Sequence, residues 1–252
     1  MQLLYRDGMR EYGQYCPVAL GSEVVSDRWT PLILREMILG STRFNDIERG
    51  LPGISRSLLK QRLDHLERNG VVELRPAAGG RGNEYHLTAA GRDLEPVIMA
   101  LGEWSVRWRY ADPLPAQVDP ITLTWWMHRR VEPTALPEKR VTIEFDYRKA
   151  DPSHIWMVLD RGEPSVCFKH PGFEPDVVVS AEPVDLMRVF SGSTTLSAAV
   201  AEGSVGLAGV PTLTRRFGSW FTWSPFAPAV RDRVRADRSA GPTSRRGPSP
   251  PP

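Results

Sequence analysis

The chain has 252 residues, which suits one large domain or two modest ones and excludes a single mini-domain. Hydrophobic residues make up 41% and charged residues 25%, enough apolar side chain for packed cores and too much for a wholly disordered chain. Net charge is only +2, spread as +1 over residues 1–110, −3 over 111–228 and +4 over 229–252, so the total argues nothing about nucleic acid and placement must decide.

Asp27 is a candidate N-cap for a helix carrying Trp29, Leu32, Ile33, Glu36, Met37 and Leu39 at helical spacing and stopping at Gly40. Ser41 and Thr42 can cap a short helix holding Phe44 and Ile47, which ends at Gly50; Pro52 and Gly53 then force a turn. Ser55 caps a helix over 56–69, with Leu58, Leu59, Leu63 and Leu66 on one stripe and Arg56, Ser57, Lys60, Gln61 and Asp64 facing away. Strands over 71–75 and 83–87, joined by a glycine-rich tip carrying Arg81, complete the order of a winged helix. Thr88 opens a long helix, bent at Pro96, with Leu94, Val97, Ile98, Leu101, Trp104 and Trp108 along one side. Such a stripe asks for a partner. Three prolines within 112–120 read as a semi-rigid linker, so the expected division is a domain over 1–110, a linker over 111–120 and a second domain over 121–228.

In the second domain a short apolar helix over 123–131 precedes 141–147, whose clean alternation marks a half-buried strand. Further strands over 154–159, 165–169 and 176–180 suggest a small antiparallel meander. Helices over 183–191 and 194–202, a last strand over 204–209 and a closing helix over 211–220 follow. Residues 229–252 are poor in large apolar side chains and read as a disordered, basic, Pro-rich tail. The fold class is α+β: a winged helix-turn-helix followed by an α+β domain with about five strands covered by helices.

A helix-turn-helix presents the N-terminal half of its second helix to the major groove, which here holds Arg56, Ser57, Lys60 and Gln61. Arg or Lys donates to guanine edges and Gln to adenine, while Arg43, Ser55 and Arg81 suit phosphates. The bland alternative is a solvated amphipathic helix. Residues 15–110 resemble the HxlR-type winged-helix transcriptional regulators in Tyr15-Cys-Pro17, Asp27-Arg-Trp-Thr30, Arg43-Phe-Asn45, Leu51-Pro-Gly-Ile-Ser55, Leu63-Asp-His-Leu-Glu-Arg-Asn-Gly70, Tyr85-His-Leu-Thr88 and Trp104. The resemblance implies a homodimer joined through terminal helices including 89–109, bound to an inverted-repeat operator of double-stranded DNA. It also implies a recognition segment from Ser55 to Arg62 and a wing from Arg75 to Asn83.

Cys16 occupies a Cys-Pro position at which some members of that family sense oxidants or electrophiles. No Lys, Arg or His within five residues lowers its pKa, so a packing cysteine is the favoured reading. Cys16 and Cys167 form no CxxC pattern, which supports neither a disulfide framework nor a zinc site. The longest charge-free stretch, residues 217–230, has 14 residues against the ~20 that cross a bilayer, so a cytoplasmic location without membrane insertion is expected.

No catalytic set stands out in the second domain. His128, His154 and His170 lie in separate elements without an HExxH pattern, so neither an enzyme nor a metal or other cofactor is expected. Its aromatic load exceeds what a small sheet needs, and a simple core is the bland explanation. Residues 121–228 are similar to the sterol carrier protein domain, chiefly in Pro183-Val-Asp-Leu-Met-Arg-Val-Phe-Ser-Gly192 and Glu202-Gly-Ser-Val-Gly-Leu-Ala-Gly-Val-Pro211. That resemblance implies a tunnel for a fatty acyl or sterol-like ligand, with Phe145, Trp156, Phe168, Phe190, Leu196, Leu207, Phe217 and Trp220 as walls. Arginines 231, 233, 235, 238, 245 and 246 could add phosphate contacts, although a merely solvated tail is the ordinary reading.

The expected function is a DNA-binding regulator, a repressor by default, whose second domain binds a hydrophobic effector that modulates operator binding. The alternatives are a redox or electrophile sensor acting through Cys16, and a lipid carrier in which the winged helix only assembles the protein.

Overall fold

Pro at the start of a helix loses no hydrogen bond, and Pro17 opens α1 (Pro17–Val25) immediately after Cys16. In the computed structural model, which describes residues 12–77, 80, 82–160 and 164–239, two compact units divide between Ala100 and Leu101. Arg81 and residues 240–252, including Arg245 and Arg246, lie outside the described residues.

The next helix, α2 (Thr30–Ile38), starts later than an Asp27 cap would place it. Pro31 fits only the first turn, and Trp29 turns the chain into it at φ 81°. Asp27 instead pairs with Arg62 at 2.8 Å. Helix α3 (Phe44–Arg49) follows Arg43 without a side-chain cap. Arg43 holds the N-cap position, while Ser41 is buried at the end of α2 with its N–H bonded to the Glu36 carbonyl, and the Thr42 carbonyl accepts the Tyr85 N–H at 2.7 Å, so the expected caps lie one and two residues too early.

Ser55 does cap α4 (Arg56–Arg68), its Oγ accepting the Leu58 N–H at 3.3 Å. Leu59, Leu63 and Leu66 pack into a core shared with Ile33, Leu34, Ile47 and Leu51. Strands β1 (Val72–Pro76) and β2 (Asn83–Leu87) form the antiparallel wing, with Val72 opposite Leu87. The expected long helix is two: α5 (Ala89–Arg92), capped by Thr88, and α6 (Glu95–Arg109). Pro96 has no N–H to bond back to residue 92, so the ladder breaks ahead of it. The division between the units falls within α6.

In the second unit Asp119 caps α7 (Pro120–His128), accepting the Thr122 N–H at 2.7 Å. The segment expected as a linker holds a single 3-10 turn at Pro115–Gln117 and buries Val118. Arg188 clamps Asp112 through Nε and Nη2, and the Tyr110 and Ser193 hydroxyls meet at 2.6 Å, which ties the stretch beyond α6 to this unit.

Strands β3 (Val141–Tyr147), β4 (His154–Leu159), β5 (Ser165–Cys167), β6 (Val177–Ala181) and β7 (Val205–Gly209) make one sheet in the order β5-β4-β3-β6-β7. Only β3 to β5 form a meander. The β6 strand crosses over and pairs parallel to β3, a geometry no tight hairpin can connect. Residues 143, 145, 147, 155, 157, 159, 177, 179, 181 and 205 face a core with Leu123 and Met127 of α7, Leu186 and Phe190 of α8 (Pro183–Ser191) and Ala199 of α9 (Leu196–Ala201). Burial pushes the Tyr147 phenol well above its ordinary pKa, and its hydroxyl meets the Thr124 Oγ1 at 2.7 Å.

The expected closing helix shortens to α10 (Pro211–Thr214) and a 3-10 turn, Phe217–Trp220. The expected disordered tail from residue 229 is corrected over 229–239, where the chain forms α11 (Ala227–Ser239). Composition alone suggested disorder, but Ala227 and Val230 are buried and anchor the helix.

Candidate nucleic-acid interface

The turn between α3 and α4 is built from both ends. Leu51 and Ile54 are buried, and Gly53 at φ 88° takes a backbone conformation that L side chains resist. Below it, Glu36 is fully buried against Arg35, and Arg35 donates to the Gly50 carbonyl at 3.0 Å. A Cβ on Gly50 would meet the Glu36 carboxylate at 2.0 Å, so a larger residue here would have to displace that buried carboxylate from Arg35.

This scaffold leaves Arg56, Ser57, Lys60 and Gln61 exposed on the N-terminal half of α4. Arg56 pairs with Glu48, donates to the Asn45 Oδ1 at 3.2 Å and lies over the Phe44 ring at 4.8 Å. Lys60 pairs with Asp64, which holds its ammonium above the ordinary lysine pKa against the opposing pull of burial. The Ser57 and Ser55 hydroxyls stand 3.2 Å apart. Exposed pairs of this kind are worth about 0–1 kcal/mol, less than the roughly 1–3 kcal/mol of discrimination from one good base contact, so a duplex can displace them.

Arg62 is different. Its side chain is only 16% exposed, bound to Asp27 and donating to the Arg28 carbonyl at 3.3 Å, so it braces α4 against the turn before α2 and faces away from the exposed half. Arg43, ahead of α3, reaches Glu84 of the wing at 3.3 Å; on the wing itself Arg75 pairs with Glu73, and Asn83 is exposed opposite Pro76. The sequence reading missed Asn45 and Glu48, the polar partners that position Arg56; their place on the helix before the turn was the available signal.

Cys16 is half-buried ahead of α1, and its side chain makes no capping bond. On α6, Val97, Leu101, Trp104 and Trp108 are each more than half exposed and recur at one helical face.

The expected tunnel walls in the second unit do not converge. Phe145, Phe217 and Trp220 are fully buried and Phe190 nearly so, all within the packed core. Trp156 points to the opposite face of the sheet from Phe145, because Glu144 is its partner across the ladder and Ile155 is that of Phe145. Phe168 lies just beyond β5 and is 45% exposed. Leu196 and Leu207 do line one open groove of about 500 Å³, together with Ser197, Val200, Ala201, Thr214, Arg215 and Gly218. Among the described residues no group of three His, Cys, Asp or Glu side chains could hold a metal ion, and no helix is long and apolar enough to cross a membrane.

Comparison with known proteins places the first unit. A family model described as HxlR-like helix-turn-helix matches residues 24–113. The chain is 38% identical over 88 residues to the HTH-type transcriptional regulator YvaP of Bacillus subtilis, covering 34% of this chain and 81% of that protein. It is 34% identical over 100 residues to the HTH-type transcriptional regulator sll1512 of Synechocystis, covering 39% and 73%. Among solved structures, the reduced form of the redox regulator HypR is 33% identical, covering 36% of this chain and 90% of that one with a TM-score of 0.34.

Proposed function

The chain belongs to the HxlR-like helix-turn-helix family of transcriptional regulators, and from that premise we propose that it reads an operator with the exposed half of α4. The carrying observation is that Arg56, Ser57, Lys60 and Gln61 share the open side of a helix whose other side is fixed by three fully buried leucines. Lys60 and Gln61 are the base readers, Arg56 reads or steers from the helix start, and Ser55, Arg43, Arg75, Arg81 and Asn83 serve the phosphates. Arg62 acts as a brace that sets the angle of α4.

The apolar stripe of α6 supports a homodimer, since a second copy offers the same stripe in return. Two α4 helices then require half-sites centred about 34–36 Å apart, or a multiple of that. The 121–228 region is read as a sterol-carrier-like domain whose hydrophobic effector modulates operator binding. The groove at Leu196 and Leu207, apolar and flanked by Arg215, supports an amphiphile better than the filled core does. An effector changes operator affinity only if it favours one arrangement of the regulator over another.

The test is binding of the purified full chain to its own upstream DNA and to a scrambled duplex over a salt series, with and without long-chain fatty acids and sterols. Tighter binding to the upstream DNA, altered by one of those lipids, is the expected result. Equal binding to both duplexes overturns the operator reading. Specific binding untouched by every lipid overturns the effector reading alone.

A further inference from the structure

The described end of the chain is a second concentration of positive charge, and the operator reading does not use it. Residues 231, 235 and 238 of α11 are arginines, all exposed, spaced so that they fall within about 60° of arc and span about 10 Å of the helix axis. The base of the helix is fixed. Ala227 packs where a Cβ on Gly192 would come within 2.8 Å, the Phe226 ring fills the space beside Gly102, and Arg233 donates to the Arg107 carbonyl at 3.3 Å. The two acidic residues of α11 sit to either side of the stripe: Asp237 is held by Arg233 at 3.2 Å, and Asp232 reaches Arg235 only at 3.8 Å with both side chains 78% exposed.

We propose that α11 is a second nucleic-acid-binding element, in which Arg231, Arg235 and Arg238 bind the phosphate backbone of duplex DNA without reading its bases. The inference rests on the operator reading and extends its footprint beyond the winged helix. Three guanidinium groups over about 10 Å cover the axial rise of about four phosphates on one strand, which are about 3.4 Å apart along the axis. The stripe contains no Asn or Gln to address adenine, and because arginine can also donate to guanine, an unchanged ratio between duplexes is the outcome that separates backbone binding from base reading. A membrane surface fits less well. A helix that lies on lipid needs a broad exposed apolar face, whereas α11 buries Ala227 and Val230 and leaves Val234, itself half-buried, as the one large apolar side chain near the stripe.

The experiment compares the full-length wild type with an Arg231→Gln/Arg235→Gln/Arg238→Gln variant and the matching Arg→Lys variant on upstream and scrambled duplexes across a salt series. Thermal unfolding and co-sedimentation with vesicles of phosphatidylserine and phosphatidylcholine run alongside. The Gln variant is expected to show a log K against log salt slope shallower by about 2.7 per protomer on both duplexes, the ratio between them unchanged, and the Lys variant the wild-type slope. If the triple Gln variant melts early, the single Arg238→Gln change is read instead, with an expected drop of about 0.9. An unchanged slope in a folded variant overturns the proposal, as does a loss confined to the upstream duplex or one seen only with vesicles. A wild type that binds neither duplex overturns this proposal and the operator reading together, whereas specific wild-type binding with an unchanged variant slope overturns this proposal only.

Discussion

On α4 the side chains proposed to address DNA are exposed and tethered by surface ion pairs, while in the second unit most aromatic side chains expected to surround a ligand are themselves the core. The difference follows from what burial costs each type. A guanidinium or ammonium is too expensive to bury unpaired, so a basic residue on the polar side of an amphipathic helix stays outside and available. A Trp or Phe gains the same apolar burial from a packed neighbour as from a bound lipid, so its presence does not distinguish core from cavity.

Substitutions sharpen that contrast, and the largest effect belongs to the core. Trp220→Ala is expected to lower the stability of the second unit by about 3–5 kcal/mol in urea unfolding, because the indole is fully buried among Phe217 and its neighbours. A change below about 1 kcal/mol would make Trp220 the wall of an open cavity instead. Next, Lys60→Ala with Gln61→Ala is expected to reduce discrimination between upstream and scrambled duplexes by about 1–3 kcal/mol per lost base contact, with stability within about 0.5 kcal/mol of wild type. Discrimination that survives in a titration of the double variant would move base reading elsewhere on α4 or the wing.

Smaller still is Tyr147→Phe, which removes one buried hydrogen bond to Thr124 but leaves Thr124 its bond to the Pro120 carbonyl at 2.8 Å; a loss of about 1 kcal/mol is expected in the same unfolding assay. The smallest effect is assigned to Cys16→Ser. Its side chain caps nothing, so operator affinity and its response to lipid should be unchanged, and a variant that loses only its response to diamide or quinone would restore the sensor reading.

Local signals in the sequence were legible because their causes are local. Ser55 and Thr88 cap the helices they precede, and Gly50 and Gly70 lie at helix ends. The Asp27 cap failed where a residue remote in sequence, Arg62, claimed its carboxylate, and the Ser41 cap failed because Ser41 still closes the end of α2 through its N–H to the Glu36 carbonyl while α3 starts only after Arg43. The parallel pairing of β6 was not legible, since strand order depends on partners remote in sequence. The orientation of Trp156 was: alternation with Ile155 and Met157 already sends it away from the core. Helix α11 escaped notice from residue 229 onward because its composition resembles a tail, and only the burial of Ala227 and Val230 supplies the reason for a helix.

The sheet of the second unit also limits how this protein can associate with itself. One edge, β5, is three residues long, and the other, β7, is five residues long and ends on Gly209, where an added Cβ would come within 2.2 Å of the Asp176 carbonyl, two residues before Pro211. Neither edge offers a long flat row of free backbone groups on which another strand could be laid. Lateral addition of a strand at these two edges is thereby discouraged, which works against accidental stacking into fibres.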